Sequence, residues 1–212
     1  VRVGLPGGHK DWSQLGSRQD PEPVPAGFDW EMWLGPSPKR EYRPALHPLN
    51  WRHSYDYSGG MITDFGAHHI DIAQWGLDMD KTGPVRFFNP TAELPPADAL
   101  YNTATAFHFE AEYANGVRLI VESIAPDAKG TGGVRFEGED GKWIEGERGT
   151  LRTNPPELVQ TRFGDGDIRL YESKQHEMNF VDCIYSGKET VAPVETAHRS
   201  ISVAQIANIL RR

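Results

Sequence analysis

The sequence predicts an α+β fold, an open and predominantly antiparallel (mixed) β-sheet with helices packed on one face. Residues 103–123, TATAFHFEAEYANGVRLIVES, alternate between two faces, and Asn115-Gly116 supplies a hairpin turn. GVRFEGEDGKWIEGE repeats the pattern with Asp140-Gly141 as its turn. Helical patterns around residues 60–77 and near the C-terminus provide the cover.

Taken in order, residues 1–5 form a strand. Residues 6–50 are loop-like and rich in proline, yet they carry Trp12, Phe28, Trp30, Trp33 and Tyr42. A flexible linker rarely holds so many aromatics, so this segment is expected to be an ordered excursion packed on the domain. A helix follows over Gly60–Leu77, then a strand at VRFFN, then the two hairpins. Beyond a loop with Pro155-Pro156 come a helix near HEMNFVDCIYSG and a final helix, TAHRSISVAQIANILRR. The 212 residues suit one domain, 1–212.

Composition narrows the function. A net charge of -8 without a Lys/Arg cluster argues against nucleic acid and anionic membrane surfaces as partners. No apolar run reaches the roughly 18 residues of a membrane span. Cys183 is the single cysteine, so there is no internal disulfide, and a cytoplasmic location is expected. An upstream export signal would make it periplasmic, because the chain opens at Val1 in mid-strand and reads as a piece of a longer protein. No Gly-x-Gly-x-x-Gly follows a strand, and Gly130, Gly132 and Gly133 read as a turn between strands.

The stretch GGMITDFGAHHIDIAQWGLDMD concentrates chemistry in an otherwise apolar helix. At about 100° per residue, Asp64, His68, Asp71 and Trp75 share one face, with Ile70, Ala73 and Leu77 behind. His69 is rotated by about 100° from His68, so the two imidazoles do not address one atom. A carboxylate one turn from an imidazole can orient it for acid–base work near neutral pH. A buttressing polar pair is the plain structural alternative. The double glycine before the helix, and Trp51, Arg52, Tyr55 and Tyr57 upstream, suit a polyhydroxylated ligand instead. Asp64, His68 and Asp71 could geometrically hold zinc, but catalytic zinc wants more His or Cys, so no metal is expected. His176, Asn179 and Asp182 share a face of the penultimate helix and read as a solvated or domain-facing stripe. Cys183 reads as a core residue.

DYSGGMITDFGAHHIDIAQWGL resembles the helix of the Gfo/Idh/MocA oxidoreductases that carries their Asp-x-x-x-His pair. PALHPLNWRHSYDYSGG, GVRFEGEDGKWIEGERGTLRTNPPEL and HEMNFVDCIYSGKETVAPVETAHRSISVAQIANI resemble further segments of one branch, in order, over nearly the whole chain. The resemblance implies the C-terminal half of a two-domain enzyme. Its NAD- or NADP-binding Rossmann domain and catalytic Lys would precede Val1, leaving this piece inactive alone and without cofactor-binding residues. The implied activity is oxidation of a sugar or polyol hydroxyl, or the reverse reduction. His68 would take the proton and Asp64 would assist, with Trp51, Arg52 and Tyr57 near the substrate and His69 and Asp71 in support. It also implies a homo-oligomer, formed by stacking through the β-sheet face. An NAD-dependent glycosidase on the same scaffold and a non-catalytic carbohydrate-binding domain are the alternatives.

Overall fold

The computed structural model describes residues 1–8, 20–96, 99–124 and 132–210. Strands β1 (Arg2–Leu5), β2 (Arg86–Glu93), β3 (Ala106–Glu112), β4 (Arg118–Ser123), β5 (Val134–Glu137), β6 (Trp143–Glu147) and β7 (Thr150–Asn154) form one sheet. Its order is β2-β3-β4-β1-β5-β6-β7. β1 lies parallel to β4 and antiparallel to β5, while the remaining neighbours are antiparallel. The sheet is therefore mixed at its centre, and the α+β class holds.

Period-two alternation decides the faces. Phe107, Phe109 and Ala111 of β3 are buried with Leu119 and Val121 of β4, Val3 and Leu5 of β1, and Val134 of β5. Helices α2 (Met61–Asp64), α3 (Gly66–Gly76) and α5 (Val194–Ile209) cover that face, contributing Met61, Ile62, Ile70, Ala73, Val203, Ala204 and Ala207. Tyr113 reaches across the layer, its hydroxyl donating to Gln74 Oε1 at 3.1 Å.

The opposite face carries paired charges. Arg118 meets Glu110, His108 lies between Glu110 and Glu122, and Arg135 bridges Glu137 and Glu145. Arg118 also lies over the Phe88 ring, and Arg135 stacks 4.1 Å above Trp143. The Glu110 carboxyl is held below its usual range, first by a hydrogen bond from Asn89 and then by Arg118 and His108.

The described part of the long excursion is ordered, as its aromatics predict. Helix α1 (Trp30–Leu34) starts at Asp29, whose Oδ1 accepts from Met32 N at 2.9 Å. Trp30 stacks on Trp33 at 4.6 Å and meets Tyr42 edge-on, around a second core with Leu34, Ala45, Leu46 and Tyr101. Trp12 falls outside the described residues, as does Gly130.

Three elements differ from expectation. The helix over 60–77 is two segments, because His68 N bonds to Phe65 O, one residue short of the α-helical partner, and tightens the chain there. α1 and β7 were not anticipated. α1 is too short for a helical period, and β7 follows a turn at Gly149 whose φ is 74°. Helix α4 (His176–Ser186) stands where expected, but buries only Cys183. No helix among the described residues is long and apolar enough to cross a membrane.

Candidate functional site

The site begins at the double glycine. Gly60 has φ 71°, and a Cβ there would lie 2.6 Å from the Thr103 side chain. A Cβ on Gly59 would meet Thr63 at 2.4 Å and Asn208 at 2.5 Å. Only glycine lets the chain pass this close to the segment before β3 and to α5 before turning into α2. Thr63 Oγ1 accepts from Gly59 N and donates to Gly60 O, and Asn208 Nδ2 donates to Gly59 O at 2.9 Å. These contacts fix the start of the helix that ends in Asp64.

Asp64 and His68 face outward. The Asp64 side chain is 28% exposed and accepts at Oδ2 from Arg52 Nη1 at 2.9 Å. His68 is exposed one turn later, with its ring edge-on to Phe65 at 6.1 Å. Trp75 and Ile72 are exposed further along the same side, while Ile70 and Ala73 are fully buried behind. The predicted stripe is thus observed at Asp64, His68 and Trp75 despite the break, whereas Asp71, expected on it, is tied to α5.

His69 and Asp71 are anchors of α3. His69 is buried, and its Nδ1 lies 3.0 Å from Gly4 O of β1. A carbonyl only accepts, so Nδ1 carries the proton. Burial pushes the His69 pKa below its ordinary value, the hydrogen bond to Gly4 opposes that, and nearby His68 and Arg148 push it down further. Asp71 Oδ1 accepts from Ser200 Oγ of α5 at 2.6 Å. One anchor ties α3 to the sheet, the other to its neighbouring helix.

His68, His69 and Asp71 together line a recess of ≈ 410 Å³. Its far wall is Gly146, Glu147 and Arg148 at the β6–β7 turn. Arg148 also lies over the Phe65 ring at 5.6 Å. This residue escaped the sequence reading, because nothing local links a turn arginine to a helix some 80 residues earlier. The one available signal is its place before Gly149.

The remaining expected residues divide. Trp51 and Arg52 belong to a 3₁₀ turn, Asn50–His53, with Arg52 reaching Asp64. Tyr57 lies apart from His68, packed edge-on against Trp33 at 5.4 Å and lining a polar recess of ≈ 300 Å³ with Tyr55 and Asn208. Burial raises its pKa, and Arg40 offsets part of that. Asn179 is taken up by Tyr171 and Val191 N, and Cys183 Sγ donates to Glu189 O. A cavity of ≈ 790 Å³ lies where α3 ends and the hairpins turn, lined by Leu77, Phe136 and Trp143 but by none of the expected site residues.

The oxidoreductase family, C-terminal alpha/beta domain, of the Gfo/Idh/MocA type matches residues 8–212. The chain belongs to this family. Among solved structures, this Gfo/Idh/MocA domain is similar to an oxidoreductase of Thermotoga maritima, at 14% identity over 80% of this chain and 48% of that one, with a TM-score of 0.47. It is also similar to an NAD-binding protein of Listeria innocua, at 16% identity over 77% and 53% of the two chains, with a TM-score of 0.45. The domain therefore spans about half the length of these proteins. No curated protein matches it in sequence.

Gly132 and Gly133, read from the sequence as a turn, are closed in by neighbouring strands. A Cβ on Gly132 would lie 2.1 Å from Gly4 O, and one on Gly133 would lie 2.5 Å from Gly146 O. Both glycines are pressed between strands, not opened as a phosphate cradle at a helix start. Among the described residues no group of three or more His, Cys, Asp or Glu side chains is placed to hold a metal ion.

Proposed function

We propose that this domain supplies the acid–base wall of a nicotinamide-dependent oxidoreductase acting on a sugar or polyol, with His68 as the proton acceptor and Asp64 beside it. The observation that carries this reading is the outward stripe itself. An exposed imidazole stands one turn from a clamped carboxylate, on a helix whose opposite side is core. His68 takes the hydroxyl proton in the oxidative direction and returns it in the reductive one. Asp64 orients the substrate or the imidazole, and Arg148 closes the recess beside His68. NAD or NADP is held outside this chain in this reading, and the residues here handle the proton and the orientation. Family membership supports the oxidoreductase class, and the clustering of hydrogen-bonding groups around His68 supports a hydroxylated substrate.

The test is Asp64→Asn and His68→Ala in the full-length protein. Each is expected to lower turnover of its sugar or polyol by about 10²–10⁴-fold, with the thermal unfolding midpoint unchanged. Undiminished turnover in both would sink the assignment. Titration of this chain alone with NAD and NADP is expected to yield no binding heat.

The open sheet face fits a second copy of the chain. Many of its charges are already paired, and Phe88, Ile120 and Trp143 lie among them, so covering it would strand few ions. Sedimentation should report a dimer or larger, and Ile120→Glu should dissociate it.

A further inference from the structure

Trp51, Arg52 and Tyr57 enter the site as candidate substrate contacts, but Arg52 is committed elsewhere. Its Nη1 donates to Asp64 Oδ2 at 2.9 Å and its Nε donates to Leu49 O at 3.0 Å. Its own carbonyl accepts from Gly60 N at 3.0 Å. Three bonds from one residue therefore frame the loop from the 3₁₀ turn to the end of α2. The side chains of Arg52 and Asp64 are 29% and 28% exposed, so the pair is shielded on most sides yet open on one.

Asp64 needs such a clamp. It is the last residue of α2, immediately before the tightened step at Phe65. A carboxylate there has several staggered rotamers open to it. The Arg52 fork is planar, and with Nε held by Leu49 O its Nη1 has one direction in which to point. That direction fixes Oδ2 and, among the described residues, leaves Oδ1 unclaimed for a ligand.

We propose that Arg52 is a positioning residue, which acts on the reaction through Asp64 and does not itself bind substrate. The proposal rests on the reading of Asp64 as a working carboxylate. It also distinguishes Arg52 from an ordinary sugar-binding arginine, whose loss weakens binding and leaves the chemical step alone.

The experiment is a double-mutant cycle in the full-length enzyme, using NAD or NADP and whichever pyranose or polyol it turns over fastest. Arg52→Ala is expected to lower kcat by about 10–100-fold while KM stays within about threefold. Arg52→Lys, which keeps the charge and one donor, is expected to recover part of the loss. Asp64→Asn with Arg52→Ala should be no slower than Asp64→Asn alone, since two residues acting as a unit are not additive. If Arg52→Ala fails to fold, Arg52→Gln carries the same split between kcat and KM. A rise in KM with kcat unchanged, or fully additive losses, overturns the proposal while leaving the role of Asp64 intact. Undiminished turnover in Asp64→Asn overturns both.

Discussion

Helices α3 and α4 each have eleven residues and each mixes histidine, carboxylate and apolar side chains. Their surroundings could hardly differ more. α3 buries Gly66, His69, Ile70, Ala73 and Gln74 between the sheet and α5, whereas α4 buries Cys183 alone. On α4, Phe180, Ile184 and Tyr185 are 59%, 64% and 87% exposed. An outward polar group carries weight when the rest of its helix is fixed. His68 stands on a helix pinned at His69 and Asp71, so its imidazole has a defined place. His176 and Asp182 stand on a helix held mainly through Asn179 and Cys183.

The contrast can be tested by substitution. Ile70→Ala in α3 should cost about 2–5 kcal/mol by denaturant unfolding, since it empties a site in the packed core. A cost below 1 kcal/mol would mean that α3 is no better anchored than α4. Ser200→Ala removes the hydroxyl that donates to Asp71 and should cost about 1.5–3 kcal/mol. A smaller loss would assign the anchoring of α3 to His69. Ile184→Ala on α4 should stay within about 0.5 kcal/mol of the parent chain. A larger cost would reveal packing around α4 in solution.

Acidity gives a further handle on the α3 anchor. The native His69 pKa lies below its ordinary 6.5, chiefly through burial. The unfolded chain therefore takes up a proton that the folded chain refuses as pH falls below that value. His69 thus costs no stability above the ordinary value. Stability declines as pH drops from there toward the native pKa, and levels off beneath it. Urea midpoints measured across that window should fall in the parent, and His69→Gln should flatten this part of the profile. An unchanged profile would show that His69 does not resist protonation.

Much of this was legible in the sequence because it is periodic. Alternation at Phe107, Phe109 and Ala111, and the spacing of Asp64, His68 and Asp71, are local patterns that packing obeys. The aromatics of residues 28–42 likewise announced an ordered segment, though not that it would form a core of its own. What stayed hidden depends on contacts between distant residues. The attachment of Asp71 to Ser200, the approach of Arg148 to Phe65, and the choice of Arg52 for Asp64 over a ligand follow from tertiary geometry. The break at Phe65 was hidden too, since its side chain fits an unbroken helix equally well.

Strand β1 has a consequence for how the chain comes together. Four residues at the start of the sequence sit between β4 and β5, and β4 lies more than a hundred positions away. Before β1 is seated, the sheet is two separate antiparallel halves, β2-β3-β4 and β5-β6-β7, each built from nearest neighbours. Each half can form early from short-range contacts. Joining them must await a segment that is made before either half and finds its place late. Val3 and Leu5 act as the closing stitch, and a chain that loses them should stall as two half-sheets with open edges.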